Sequence, residues 1–299
     1  MINNGIIEET LPDLYLSTGT ISRKGGGQMR CSTKYPIFLV HGMGFREGKH
    51  IGYWGRIPKA LEGNGAKVLC SNQDGNGSVE GNAEQLKRQL LDFFEESGAE
   101  KVNIIAHSKG GLEARCLISL MGMADRIASL TTLSTPHNGS VTVDNLMKLP
   151  QPLVKFGCIA VDLWFRILGD ASPDTYNAVC SFRTADAKKF NAENPDAEGV
   201  YYQSYAFFME NAFSDMFMWL PWLVVRHYEG ENDGLLSPDA VKWADFRGII
   251  RSSGHRGISH CDEVDMRRCK LSKSPSSDGI SDMTEFYVSV VEDLKKRGF

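Results

Sequence analysis

Ser108 stands where an apolar, β-type run, Val102-Asn103-Ile104-Ile105-Ala106-His107, stops and small residues begin. A serine on a sharp strand-to-helix turn has unfavourable backbone dihedrals, so the residues two positions to either side must be small to clear the strand and the helix. Here they are Ala106 and Gly110. The alanine adds a methyl group to the commoner glycine without changing the logic. Serine among small residues also fits an ordinary helix N-cap, so the motif needs partners elsewhere in the chain. A serine nucleophile requires a base to take its proton, an acid to orient that base, and hydrogen-bond donors for the oxyanion.

Each of these has a candidate. Leu223 to Tyr228 reads as a strand, and the polar loop Glu229-Gly230-Glu231-Asn232-Asp233-Gly234 behind it offers Asp233 as the acid. A plain Asp-Gly turn is the competing reading. About 27 residues further on, Gly257-Ile258-Ser259-His260 places His260 after a turn as the base, with His255 as a rival. Upstream, Tyr35 to Val40 runs into His41-Gly42-Met43-Gly44-Phe45, a strand followed by a glycine turn whose N–H groups can point at a ligand. The backbone amides of Met43 and Lys109 are the candidate oxyanion donors, and the Lys109 side chain is expected in solvent. A dinucleotide loop is the alternative for Gly42-x-Gly44, but Glu47 occupies the third glycine position, where an acid repels pyrophosphate.

These residues must be held by a framework, and the chain supplies one. Short apolar runs at 37–40, 67–70, 102–106 and 127–134 alternate with helical patterns. That alternation predicts an α/β fold with a mostly parallel central sheet and helices on both faces. Asn82 to Glu96 is one crossover helix, with Asn82 as its N-cap and Leu86, Leu90, Phe93 and Phe94 on its core face. Leu112 to Met121 continues as a central helix under the serine. Ser281 to Lys296 carries a stripe of Met283, Phe286, Tyr287, Val290, Val291 and Leu294, with Lys295 and Lys296 at the favourable end of its dipole.

The stretch 141–182 breaks the rhythm. Leu146, Leu149, Leu153, Phe156, Ile159, Leu163, Trp164 and Ile167 make it more apolar than a surface insertion should be. It reads either as a mobile amphipathic lid over an apolar site or as a buried helix pair or dimer contact. Residues 1–34 are expected as an extension packed on one domain spanning 35–299.

Composition narrows the partners. With 299 residues, a net charge of −4 and no long basic run, the chain is a poor match for nucleic acid. The longest apolar run, Met216 to Val225, contains Pro221 and is about half the length of a membrane span. No basic segment followed by an apolar one lies in Met1 to Gln28, so no Sec signal peptide is expected in the chain as given, leaving a cytoplasmic location or leaderless export. Seven dispersed cysteines read as mostly free thiols, with a Cys261–Cys269 disulfide left open.

Tyr35 to Phe45, Asn103 to Arg115, Ser134-Thr135-Pro136-His137-Asn138-Gly139-Ser140, Phe190 through Tyr202, Asn232-Asp233-Gly234-Leu235 and His260-Cys261-Asp262 resemble, in order, the bacterial triacylglycerol lipases of the Pseudomonas, Burkholderia and Proteus type. The resemblance covers roughly residues 35 to 270. It implies an α/β-hydrolase fold with a mobile lid, carboxylic ester hydrolysis on acylglycerols at a lipid–water interface, and no cofactor for the chemistry. Ser108 becomes nucleophile, Asp233 acid, His260 base, and Met43 with Lys109 oxyanion donors. The resemblance also implies a structural calcium held by Asp262, two residues after the histidine, and Asp215, with a backbone carbonyl from Met266. The alternative for Asp262 is that it only braces the His260 loop. A short-chain esterase or acyltransferase, or from another class a silent α/β-hydrolase used for binding, are the other readings.

Overall fold

The computed structural model describes residues 29–44, 52–273 and 279–299. Most of the expected N-terminal extension, together with Phe45 and Glu47, lies outside the described residues. In chain order the elements are β1 (Ile37–Val40), α1 (Ile57–Gly63), β2 (Val68–Cys70), α2 (Val79–Ser97), β3 (Val102–His107), α3 (Lys109–Ser119), β4 (Ile127–Leu133), α4 (Val141–Leu146), α5 (Gln151–Ile167), α6 (Thr175–Cys180), α7 (Thr184–Glu193), β5 (Tyr201–Phe207), α8 (Trp219–Glu229), α9 (Pro238–Val241), β6 (Asp245–Ile250) and α10 (Met283–Lys296).

Among the described residues six strands form one sheet in the order β2-β1-β3-β4-β5-β6, and every pairing between them is parallel. Because side chains alternate across a strand, Phe38 and Val40 join a core with Leu86, Leu90, Leu112 and Leu117 of α2 and α3. Ile37 and Leu39 point the other way, into a second core with Ile57 and Leu61 of α1 and Tyr287 and Val291 of α10. Burial on both faces is why β1 is an unbroken apolar run. The stripe expected on the final helix is buried at all six positions.

Two expectations about helices change. The N-cap of α2 is Ser78, whose side chain accepts from Gly81 N, and not Asn82. Asn82 is drawn inward instead, where its Nδ2 donates to Asp74 O and Glu113 Oε1. The segment 223–228 is not a strand but lies in α8.

Residues 141–182 hold α4, α5 and α6, and no residue of α5 is buried. That removes the buried-pair reading. Two reciprocal clasps secure the end of this insertion: Asp170 accepts from Gly75 N and Asn76 N at 3.1 and 2.9 Å, while Asp74 accepts from Ala171 N and Ser172 N at 2.9 and 2.8 Å. All seven cysteines are free, so Cys261 and Cys269 form no disulfide. Among the described residues no helix is long and apolar enough to cross a membrane.

Candidate active site

Ser108 is the single residue between β3 and α3, with φ 54° and ψ −131°. A side-chain-bearing residue rarely adopts this left-handed φ, and the surroundings hold it there. Its N–H donates to Leu133 O at 2.9 Å, at the end of β4, and its carbonyl accepts from Thr135 Oγ1 at 2.8 Å. Two glycines make room for the turn. A Cβ on Gly110 would lie 2.4 Å from His41 O, and one on Gly42 would lie 2.7 Å from Ser108 Cβ. The methyl of Ala106 is accommodated within the buried β3, in register with Val40 and Thr132.

Asp233 and His260 meet in the loops that follow α8 and β6. His260 Nδ1 lies 2.8 Å from Asp233 Oδ2. The other carboxylate oxygen accepts from Leu235 N and Leu236 N, each at 2.8 Å. Both loops hang from the segment after β5: Met209 N donates to Asn232 O and Ile258 N to Phe208 O, each at 2.8 Å. The acid therefore follows a helix, not the strand expected at 223–228, but reaches its partner through this shared scaffold. Burial acts to raise the Asp233 carboxyl, and it is outweighed by the His260 charge and hydrogen bond, by Glu263 and by the Leu235 amide, which hold it below its ordinary range. With Nδ1 committed to Asp233, Nε2 is the imidazole nitrogen left to exchange a proton. Among the described residues no hydrogen bond joins Ser108 Oγ to His260. The rival His255 is exposed.

The amides of Met43 and Lys109 have no acceptor among the described residues, as donors awaiting an oxyanion require. The Lys109 side chain departs from expectation: it is fully buried, donating to Gly77 O at 2.8 Å and pairing with Glu113, so the residue is anchored and not solvated.

A buried shelf lies beneath the Asp–His pair and carries residues that the motifs did not point to. His107 Nδ1 bonds Tyr53 Oη at 2.7 Å, and its Nε2 lies 3.1 Å from Glu263 Oε2. Tyr53 Oη in turn accepts from Gly42 N at 3.0 Å, and Ser134 Oγ donates to Glu263 Oε1 at 2.9 Å. The His107 and His260 rings pack with centroids 4.4 Å apart. Burial, and then the Asp233 charge, push the Glu263 carboxyl well above its usual value. Burial, and then the His260 charge, push His107 well below its own. Burial thus favours the neutral form of both groups. The one trace in the sequence is the three-residue spacing from His260 to Glu263, which brings both to one side of the helical turn at 262–264.

Asp215 and Asp262, the expected calcium ligands, do come together on Ser259. Its Oγ donates to Asp215 Oδ2 at 2.6 Å and its N–H to Asp262 Oδ2 at 3.2 Å. The remaining oxygens are also taken: Asp215 Oδ1 by Phe217 N at 2.9 Å, and Asp262 Oδ1 by Arg267 Nε at 2.6 Å. A calcium site needs about six to eight oxygens with free lone pairs converging on one point. This donor set, with N–H and O–H groups and a guanidinium directed at the carboxylates, does not fit the ion.

The chain has relatives of known name. It is 29% identical over 259 residues to a protein of Saccharomyces cerevisiae named triacylglycerol lipase 2, covering 83% of this chain and 75% of that one. It is 37% identical over 118 residues to a triacylglycerol lipase of Pseudarthrobacter phenanthrenivorans, covering 38% of this chain and 36% of the relative, so the match to bacterial proteins spans about a third of their length. Among solved structures, a Staphylococcus hyicus lipase superposes with a TM-score of 0.67 at 16% identity, covering 89% of this chain and 98% of the other. Residues 36–211 match the family model described as palmitoyl protein thioesterase. With that match over more than half its length and a parallel sheet that carries a serine elbow, the chain belongs to the palmitoyl protein thioesterase family of α/β-hydrolases.

Proposed function

We propose that the protein is a serine hydrolase of carboxylic esters, with long-chain acylglycerols as its substrate class, acting through Ser108, His260 and Asp233. Ser108 Oγ attacks the ester carbonyl while His260 Nε2 takes the hydroxyl proton. The oxyanion is held by the Met43 and Lys109 amides. Collapse of the tetrahedral species breaks the C–O bond, and His260 returns the proton to the leaving alcohol. Water then attacks the acyl-enzyme, with His260 again as base, releasing the acid and restoring Ser108. Asp233 keeps the imidazole in the Nδ1–H tautomer and stabilises the imidazolium. The observation that carries this reading is the pairing of a strained serine between strand and helix with a buried Asp–His hydrogen bond of 2.8 Å. Relatives named triacylglycerol lipase support the substrate class.

The insertion 141–182 is read as a lid that docks on lipid. Its helix α5 exposes Phe156 at 71%, Ile159 at 64% and Leu163 at 62%. Beside α8, Phe213, at 91%, and Met216, at 76%, add a second apolar patch. Apolar area of this extent works against solubility in water, and burial in an acyl phase would offset the cost of its exposure. The family match favours one second reading, an acyl thioester as substrate of the same machinery.

Hydrolysis of p-nitrophenyl esters from acetate to palmitate, beside a palmitoyl thioester, tests both. Activity rising with oxygen-ester chain length, and lost on the order of 10⁴-fold in Ser108→Ala, is expected. A preference for the thioester favours the second reading, and activity that survives in Ser108→Ala overturns the mechanism.

A further inference from the structure

We propose that Arg256 and Arg267 replace a divalent cation behind the His260 loop, so that this chain holds its base without calcium. Asp215 and Asp262 are 4% and 5% exposed, and both bond Ser259, the residue before His260. Two carboxylates that close and that dry repel each other and are costly unless positive charge is supplied. Arg267 supplies it directly, and the exposed Arg256 adds a second positive charge nearby. Arg267 donates to Asp262 Oδ1 through Nε at 2.6 Å and through Nη2 as well. Arg256 donates through Nε at 2.9 Å, and through Nη2, to the carbonyl of Ser214, the residue before Asp215.

The result is one direct ion pair, Arg267 on Asp262, and a second guanidinium, Arg256, tied to the backbone beside Asp215, and together they join two segments of chain. Arg256 reaches from the start of the His260 loop to the turn at 212–215. Ser259 Oγ donates to Asp215 and accepts from Asp262 N at 3.1 Å, linking the same pieces across the middle. A metal ion would have to displace Arg267 from Asp262 and turn the Ser259 hydroxyl hydrogen away from Asp215. A guanidinium is always charged and presents fixed donors, so this clamp holds with no metal to lose.

The test reads thermal unfolding, which does not depend on chemistry at Ser108. The wild-type protein is melted in chelator and in millimolar calcium, and equilibrium dialysis with radioactive calcium is run beside it. The proposal expects the same Tm in both buffers and no bound calcium. Arg267→Gln should melt roughly 5–10 °C lower in chelator, because a buried carboxylate has lost its partner, and recover on adding calcium to the vacated oxygens. Arg267→Gln protein that folds only when calcium is present supports the proposal equally. It is overturned by a wild-type Tm that falls on chelation and returns with calcium. An Arg267→Gln variant that ignores calcium, whether it melts like the wild type, melts lower or fails to fold in either buffer, also overturns it.

Discussion

Asp233 holds His260 twice: the side chains meet at 2.8 Å between Oδ2 and Nδ1, and His260 N donates to Asp233 O, also at 2.8 Å. The backbone bond fixes the loop and the side-chain bond fixes the tautomer, so the two roles are separable. Asp233→Asn keeps the first and presents an amide to Nδ1 in place of a carboxylate. It is expected to lower kcat on the order of 10³–10⁴-fold with KM little changed. Steady-state kinetics on a soluble p-nitrophenyl ester provides the check, and a loss seen mainly in KM would contradict this role.

Glu263 makes a different prediction because burial favours its neutral form. Glu263→Gln preserves shape and neutrality and should leave stability within about 1 kcal/mol of wild type. Glu263→Ala deprives Ser134 and His107 of a partner and opens a cavity beside Asp233, costing about 2–4 kcal/mol. Urea unfolding of both variants distinguishes this from an ionised Glu263, for which the glutamine would be nearly as damaging as the alanine.

The exposed apolar face of α5 contributes little to the free protein. Phe156→Ser with Ile159→Ser should therefore leave the unfolding free energy within about 0.5 kcal/mol. Hydrolysis of emulsified triolein should fall roughly tenfold or more, while hydrolysis of dissolved p-nitrophenyl acetate holds steady. Equal losses on both substrates would place these side chains in the acyl pocket, not on a lipid-docking surface.

Much of this site was legible in the residues because its constraints are local. Ala106 and Gly110 bracket Ser108 for steric reasons that any such turn imposes, and β1 is apolar throughout and β3 at Val102 and 104–106 because the sheet is covered on both faces. What was not legible depends on tertiary partners. The Leu-Val-Val run at 223–225 has strand character, yet it lies in α8, where Pro221 falls in the first turn and is tolerated and Val225 packs inward. Asn82 is a good capping residue by type, but Glu113 draws its side chain into the core and leaves the cap to Ser78. Lys109 looked solvated until Glu113, one turn along the same helix, gave its charge a buried partner. Asp215 and Asp262 were recognisable as a pair of acids. That Arg256 and Arg267 answer them could not be read from spacing, because the arginines act across loops with no fixed period.

The most direct test of the central claim is labelling with a fluorophosphonate, which reports a serine whose proton is being withdrawn. Wild-type protein should gain one phosphonyl group, mapped by peptide mass spectrometry to Ser108. Asp233→Asn should label far more slowly, and Ser108→Ala not at all. A wild-type protein that stays unlabelled while folded, or a label that maps to another serine and persists in Ser108→Ala, would contradict the account.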